Sequence, residues 1–428
     1  MTDDPGPDEP QPDEPQPEEP TAPRCIVVGG GPGGMLAAYL LARAGIAVTL
    51  LESHQDFDRD FRGDSLHPWT LELMDRLGLA EDLLALPHFK ATRFRMFTPA
   101  GTVITTDYTK LDSRFPFVAL MPQVRFLDFL AGRAAALPEF TVITGARVRK
   151  LIFDGDRVAG VAWRDADGPR ELRADLVIAA DGRFSKLRAL SELPVDDLGA
   201  TTDLLWFRMP RRPDDPAEAD VDLYFGRDAY AGLLGGVQDW QIGVTVPKGG
   251  YAAARSAGVA PIKQFLAAHL GWLGDRIELL TGFDQITLLS VELKRVRTWH
   301  REGLLLIGDA AHVISPVGGN GILMALQDAV VAANLLVPAL RRTERPGAEV
   351  MSAIQSAREP AIVQVQQAQV RTEQRAADAR ERNRPLIPGR LLKVITALPG
   401  ARRRSAARNG YGPYPPALAA DLFGADHR

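Results

Sequence analysis

Gly29-Gly30-Gly31-Pro32-Gly33-Gly34 has the spacing G-x-G-x-x-G at Gly29, Gly31 and Gly34. Glycine at those positions permits a tight turn, lets backbone N–H groups approach a pyrophosphate, and allows a helix to pack closely on a strand, while the N-terminus of that helix adds partial positive charge. Eighteen residues beyond Gly34 stands Glu52, at the end of a β-prone run, where a carboxylate can accept hydrogen bonds from an adenosine ribose. Two further stretches carry acids just past β-prone runs. One is Ala174 to Arg188, with Asp181, Gly182 and Arg188; the other is Leu305 to His312, with Gly308 and Asp309, followed by Pro316-Val317-Gly318-Gly319-Asn320-Gly321. An Asp-Gly after a strand is, alone, most often a turn. In the later stretch, however, a strand delivers a carboxylate to a loop that opens a second helix. Two helix N-termini suit a ligand with two electron-rich zones, a pyrophosphate and a ring that becomes anionic on reduction.

These residues need a framework to bring them together. Arg24 to Val28 reads as a strand, Met35 to Ala44 as a helix and Ile46 to Leu51 as a second strand, which together make a right-handed βαβ unit. Apolar spacing predicts helices over 64–84 and 124–136. Strands are expected over 140–143, 146–153, 157–163 and 175–179, with Asp154-Gly155 turning a hairpin. From Leu204 to Val246, short β-prone runs separated by Gly, Pro and Asp predict a separate antiparallel sheet. Leu304 to Ile307 is one more buried strand, and the helix that starts at Gly321 is expected to end before Pro338. The expected fold class is α/β. A Rossmann-like nucleotide-binding domain covers 24–90, 118–200 and 290–340, an inserted, mainly antiparallel β-sheet lobe covers 91–117 and 201–289, and a C-terminal helical segment covers 341–428.

With 428 residues, 46% hydrophobic and 24% charged, the composition is that of a globular protein. Residues 1–23 are the exception: eight acidic side chains, no Lys or Arg and a Pro-rich near-repeat predict a disordered acidic tail, solubilising rather than docking. It lacks the pattern of a secretory or organelle leader, so a cytoplasmic location is expected. Without the tail the chain has 50 basic and 46 acidic residues, too balanced to argue for nucleic acid. The only cysteine is Cys25, which excludes an intrachain disulfide and a cysteine-built metal site; no metal is expected. The longest uncharged run, between Asp309 and Asp328, is interrupted by Pro316 and several glycines, so no membrane span is expected. Forty-two arginines against eight lysines suggest a GC-rich genome, compatible with secondary metabolism.

Taken in order, the glycine fingerprint, the Asp-Gly stretch ending in Leu187-Arg188 and the late Gly308-Asp309-Ala310-Ala311-His312 resemble the single-component, class A FAD-dependent monooxygenases typified by p-hydroxybenzoate hydroxylase and phenol hydroxylase. The resemblance extends from about Arg24 to Asn334. It implies the p-hydroxybenzoate hydroxylase fold with a GR2-type FAD domain, non-covalent FAD, and NADPH or NADH as a transient co-substrate. The implied reaction uses O2 and a flavin C4a-hydroperoxide to hydroxylate an aromatic or polycyclic small molecule, phenolic or polyketide-like, in a monomer or homodimer. By this resemblance Gly29, Gly31, Pro32, Gly33 and Gly34 cradle the cofactor, Glu52 meets the adenosine ribose, and Asp309 meets the ribityl or ribose side of the flavin chain. Gly318, Gly319, Asn320, Gly321, Ile322 and Leu323 face the flavin's pyrimidine edge. Asp181, Gly182 and Arg188 lie near the pyrophosphate, and Arg62 lies on the pyrophosphate and nicotinamide route. Gln123 touches the cofactor, Val148 meets adenine, and Pro316 lies beside the reacting edge.

Asp64 matches an acid near the substrate, able to act as a base on a phenol directly or through water; as an N-cap it would instead belong to its own helix. The loop departs from the family's Gly-Gln-Gly with Asn two residues later, reading Gly319-Asn320-Gly321 and then Leu323. The inserted sheet would form the substrate wall, with Trp206, Arg208, Tyr224, Tyr230 and Trp240 as candidates, and His312 would hold a loop. Competing readings are a reductase or a halogenase of the same fold, or a catalytically silent flavin-binding protein. The halogenase signature fails at Asp239-Trp240-Gln241-Ile242-Gly243.

Overall fold

Parallel strands at the centre of the molecule carry the three acid-bearing turns side by side. The computed structural model describes residues 24–57, 64–165, 168–217, 219–226, 229–316, 318–342, 345–382 and 389–423; the acidic N-terminal stretch and Arg62 lie outside them. The central sheet has the order His300–Arg301, Leu304–Leu306, Leu176–Ala179, Cys25–Val28, Val48–Leu51, Phe140–Ile143. All its pairs are parallel except the one made by His300–Arg301. Its inner strands are buried along their whole length, which is why they read as unbroken apolar runs rather than alternating ones. The helix Pro32–Arg43 packs against Gln123–Ala134 and against the long helix Gly321–Arg341. A three-stranded antiparallel sheet, Arg147–Asp154, Arg157–Asp165 and Gly168–Arg173, packs on Leu176–Ala179.

The second large sheet has seven strands in the order Thr287–Leu289, Thr202–Pro210, Asp239–Pro247, Tyr230–Gly235, Val221–Phe225, Arg93–Thr98, Gly101–Asp107. Every pair is antiparallel except Val221–Phe225 with Arg93–Thr98. Its strands alternate. Leu205, Phe207, Leu233, Trp240, Ile242 and Val244 form a core with Ile262 and Leu266 of the helix Ala260–His269, while Leu204, Trp206, Gly232, Leu234, Gln241 and Gly243 line a cavity.

Two helices differ from expectation. The span 64–84 is a two-residue strand, Ser65–Leu66, and two helices, Pro68–Arg76 and Ala80–Ala85, parted at Gly78, whose φ of +74° ends the first. Leucine spacing mimicked one continuous helix, but Pro68 starts it and glycine breaks it. The helix from Gly321 passes through Pro338 to Arg341. Pro338 lies one turn from the end, so the helix forfeits a single i to i−4 bond while Val337 and Leu340 stay buried. This helix is long and apolar enough to cross a membrane, yet 78% of its apolar window is buried inside the protein.

The C-terminal part wraps the assembly. Ala348–Glu381 packs on Gly321–Arg341, and Ala401–Tyr411 packs on Gly101–Asp107 and Pro68–Arg76. Beyond it the chain returns over both: Gln327 donates to Tyr411 O, Trp69 Nε1 to Pro416 O and Asn334 to Ala417 O, at 2.8, 3.0 and 2.8 Å.

Candidate active site

The glycines of the first turn serve two purposes. At Gly29, with φ +105°, a Cβ would lie 2.4 Å from Ala180 O; at Gly34 it would lie 2.0 Å from Gly29 O. Those two glycines are demanded by backbone crowding. At Gly31 nothing stands within 4 Å, so the open space there belongs to the cavity. The helix begins at Pro32 with no side-chain cap, leaving its N-terminus to face that space. Glu52 is 1% exposed and holds the turn by accepting from Gly30 N at 2.7 Å and His54 N at 3.0 Å, while also lining the cavity.

Asp181 and Gly182 line the cavity. The Asp181 carboxylate accepts from Ser185 Oγ and from Leu187 N; burial pushes its pKa up, and these bonds oppose the rise. Arg188, expected near the pyrophosphate, stands outside the lining, beside the Asp181 and Asp309 turns. Its guanidinium donates to the carbonyls of Asp309 and Ala310, both at 3.1 Å, and of Arg183 at 2.6 Å, so it ties the second turn to the third. Arg183 and Lys186 line the cavity on that side instead.

Gly308 and Asp309 line the cavity from the third turn. Behind them a buried cluster fixes the turn: Asp328 accepts from Gly308 N at 2.9 Å, from His312 Nε2 at 2.6 Å and from Arg358 Nε at 2.8 Å. Burial drives the Asp328 pKa up, yet His312 and Arg358 hold it below the usual value. His312 therefore holds a loop. Pro316, Gly318, Gly319, Gly321 and Ile322 line the cavity, with Gly318 at φ +98° and Gly319 at φ +68°. Asn320 and Leu323 do not: Asn320 faces a smaller neighbouring cavity of about 260 Å³, and Leu323 is 0% exposed in the core. Gln123 and Val148 line the main cavity.

Asp64 does not cap its own helix, which starts at Pro68 after His67. Its Oδ1 accepts from Gln123 N at 3.3 Å, at the start of Gln123–Ala134, and its Oδ2 from the Gln241 amide. Burial raises its pKa to about 6, against the lowering effects of Gln241, Arg208 and Gln123. The cavity, about 440 Å³, runs without interruption from the glycine turn past Asp64 to the seven-stranded sheet. There the Trp206 ring lies across Gly243, where a Cβ would come within 2.5 Å of it, and Gly232 pairs with Gly243. This wall is flat.

Of the aromatic candidates, Trp206 and Tyr230 line the cavity. Tyr224 stacks on Phe97 at 4.3 Å and Trp240 is 0% exposed in the opposite core, donating to Asp215. Arg208 lies outside the lining, 3.5 Å from Asp239. Two lining residues carry no mark in the sequence strong enough to single them out. His67 donates to Gly319 O at 3.1 Å, and burial lowers its pKa to about 4, so it is neutral. Gln241 had a signal in the alternation of Asp239–Pro247, where Trp240, Ile242, Val244 and Val246 mark the core face and Gln241 with Gly243 the other.

The open cradle at Gly31, the acids Glu52 and Asp309 and the two helix N-termini fit FAD. The FAD binding domain family matches residues 23–369. A 6-methylpretetramide 4-monooxygenase of Streptomyces rimosus is 36% identical over 321 residues, 74% of this chain and 76% of that one. A rifampicin monooxygenase of Streptomyces venezuelae is 30% identical over 313 residues, 71% of this chain and 62% of that one. The structure of p-nitrophenol 4-monooxygenase PnpA from Pseudomonas putida DLL-E4 has a TM-score of 0.73, with 20% identity, over 92% of this chain and 99% of that one, a likeness of fold. With the family match covering most of the sequence and a relative 36% identical over 74% of it, the chain belongs to the FAD binding domain family of class A flavin-dependent monooxygenases.

Proposed function

We propose that this enzyme, acting in the cytoplasm, uses NAD(P)H and O2 to hydroxylate a planar aromatic small molecule of phenolic or polyketide type. The reading rests on one observation: the dinucleotide cradle and the flat Trp206, Gly232 and Gly243 wall belong to a single cavity. Bound FAD supplies the redox chemistry, accepting reducing equivalents from NAD(P)H and activating O2. Glu52 and Asp309 would hold its sugar hydroxyls, and the Gly321 helix N-terminus would offset negative charge at the ring. Gly318 to Gly321, held by His67 through the Gly319 carbonyl, would support the flavin ring. Leu204, Val221, Leu223 and Leu234 keep the substrate chamber apolar, which excludes water. Asp64, ionised above a pH of about 6, takes the phenol proton directly or through a water.

The test is a panel of phenols, quinones and polycyclic aromatics, with 6-methylpretetramide among them, incubated with FAD-loaded protein and NADH or NADPH. Expected are substrate-stimulated NAD(P)H consumption and a product heavier by one oxygen that carries label from 18O2. Turnover that continues under anaerobic conditions would instead identify a reductase.

A further inference from the structure

The seven-stranded sheet presents an apolar wall to the chamber, built from residues such as Phe94, Leu204, Val221 and Leu223. Into this wall the strand Asp239–Pro247 sets a carboxamide, Gln241, 4% exposed and lining the cavity. Its Nε2 donates to Asp64 Oδ2, from the other lobe and 177 residues away in sequence. Its Oε1 is buried with no hydrogen-bond partner. A carboxylate only accepts, so ionised Asp64 turns the NH2 end of the amide toward itself and leaves the amide oxygen as the free end. A buried acceptor left unmatched is unfavourable, and a ligand that supplies the missing donor gains what an apolar analogue cannot.

Building on the aromatic-hydroxylase reading above, we infer that Gln241 is the specificity-determining residue of the substrate wall, its amide oxygen accepting a hydrogen bond from a hydroxyl or N–H on the ring system. Asp64, besides its role above, fixes which end of this amide faces the chamber. The flat patch at Trp206 and Gly243 lies on the same face, since Gly243 follows Gln241 by two positions along the strand. The substrate this favours is a planar ring system carrying a donor at its rim.

The probes are 2,6-dihydroxyanthraquinone and its 2,6-dimethoxy ether, titrated into the FAD-loaded enzyme and followed by perturbation of the flavin absorbance. Wild type is expected to bind the dihydroxy compound about tenfold or more tightly than the ether. In Gln241→Leu that preference should fall to within about twofold, with retained FAD showing that the variant is folded. Gln241→Met serves the same purpose if the leucine variant folds poorly. A preference retained in both variants overturns the assignment while leaving the aromatic reading intact. Failure of wild type to bind either probe overturns both the planar-substrate reading and the assignment built on it.

Discussion

Gly31 and Gly34 are three residues apart and identical in type, yet their surroundings assign them different work. A methyl group at Gly34 collides with backbone, whereas at Gly31 it enters open space at an ordinary φ of −69°. Gly31→Ala is therefore expected to leave the apoprotein's melting temperature unchanged and weaken FAD about tenfold or more, measured by fluorescence titration. Gly34→Ala should lower both. Asp64 gives a second prediction. Its folded pKa of about 6 exceeds the value of 3.8 that an unperturbed aspartate has, so between those pH values the native state binds more protons than the unfolded one. Stability then falls as pH rises through that window, by about 1.4 kcal/mol per step of one in pH, or roughly 3 kcal/mol in all. In Asp64→Asn this loss should vanish from urea midpoints compared at pH 4.5 and pH 8; an unchanged pH slope would refute the assignment. The sequence disclosed such residues unevenly. Gly31 was readable because its signal is local. Gln241 was not, because what gives it a role is a partner in another lobe. The link from Arg188 to the third turn was likewise hidden, because the carbonyls it bonds are remote in sequence.

At the scale of elements, strands buried on both sides and turns bearing glycine were legible, since burial and φ > 0 leave marks on short windows. Helix limits were less so. Leu71, Leu73 and Leu77 fit a single helix over 64–84 although Gly78 divides it, and Pro338 looked like a stop although only one backbone bond depended on it. The junction of Gly321–Arg341 with Ala348–Glu381 rests on Asp328, 0% exposed between His312 and Arg358. Asp328→Ala would strand the buried Arg358 guanidinium and free the Gly308 amide. A loss of about 3–5 kcal/mol is expected in chemical unfolding, accompanied by weaker FAD binding because the Asp309 turn loses its anchor. An unfolding free energy within about 1 kcal/mol of wild type would show that the cluster is replaceable.

Over the whole molecule, the lobe whose sheet walls the cavity is drawn from two separate parts of the chain, joined where Val221–Phe225 pairs in parallel with Arg93–Thr98. The returning C-terminal stretch then fastens the helices from outside, with Leu422 at 3% exposure and Phe423 beneath Arg43. Truncation after Tyr411 should cost about 2 kcal/mol or more, from the lost Leu422 burial and the unpaired Trp69 and Asn334 groups. Thermal unfolding of the shortened protein checks it. The cofactor turns follow strands at residues 25–28, 176–179 and 304–306, which are neighbours in space but far apart along the polypeptide. Hence a fragment ending before residue 304 lacks one of the three turns, and the cradle closes only when a strand some 275 residues beyond the first takes its place beside the others.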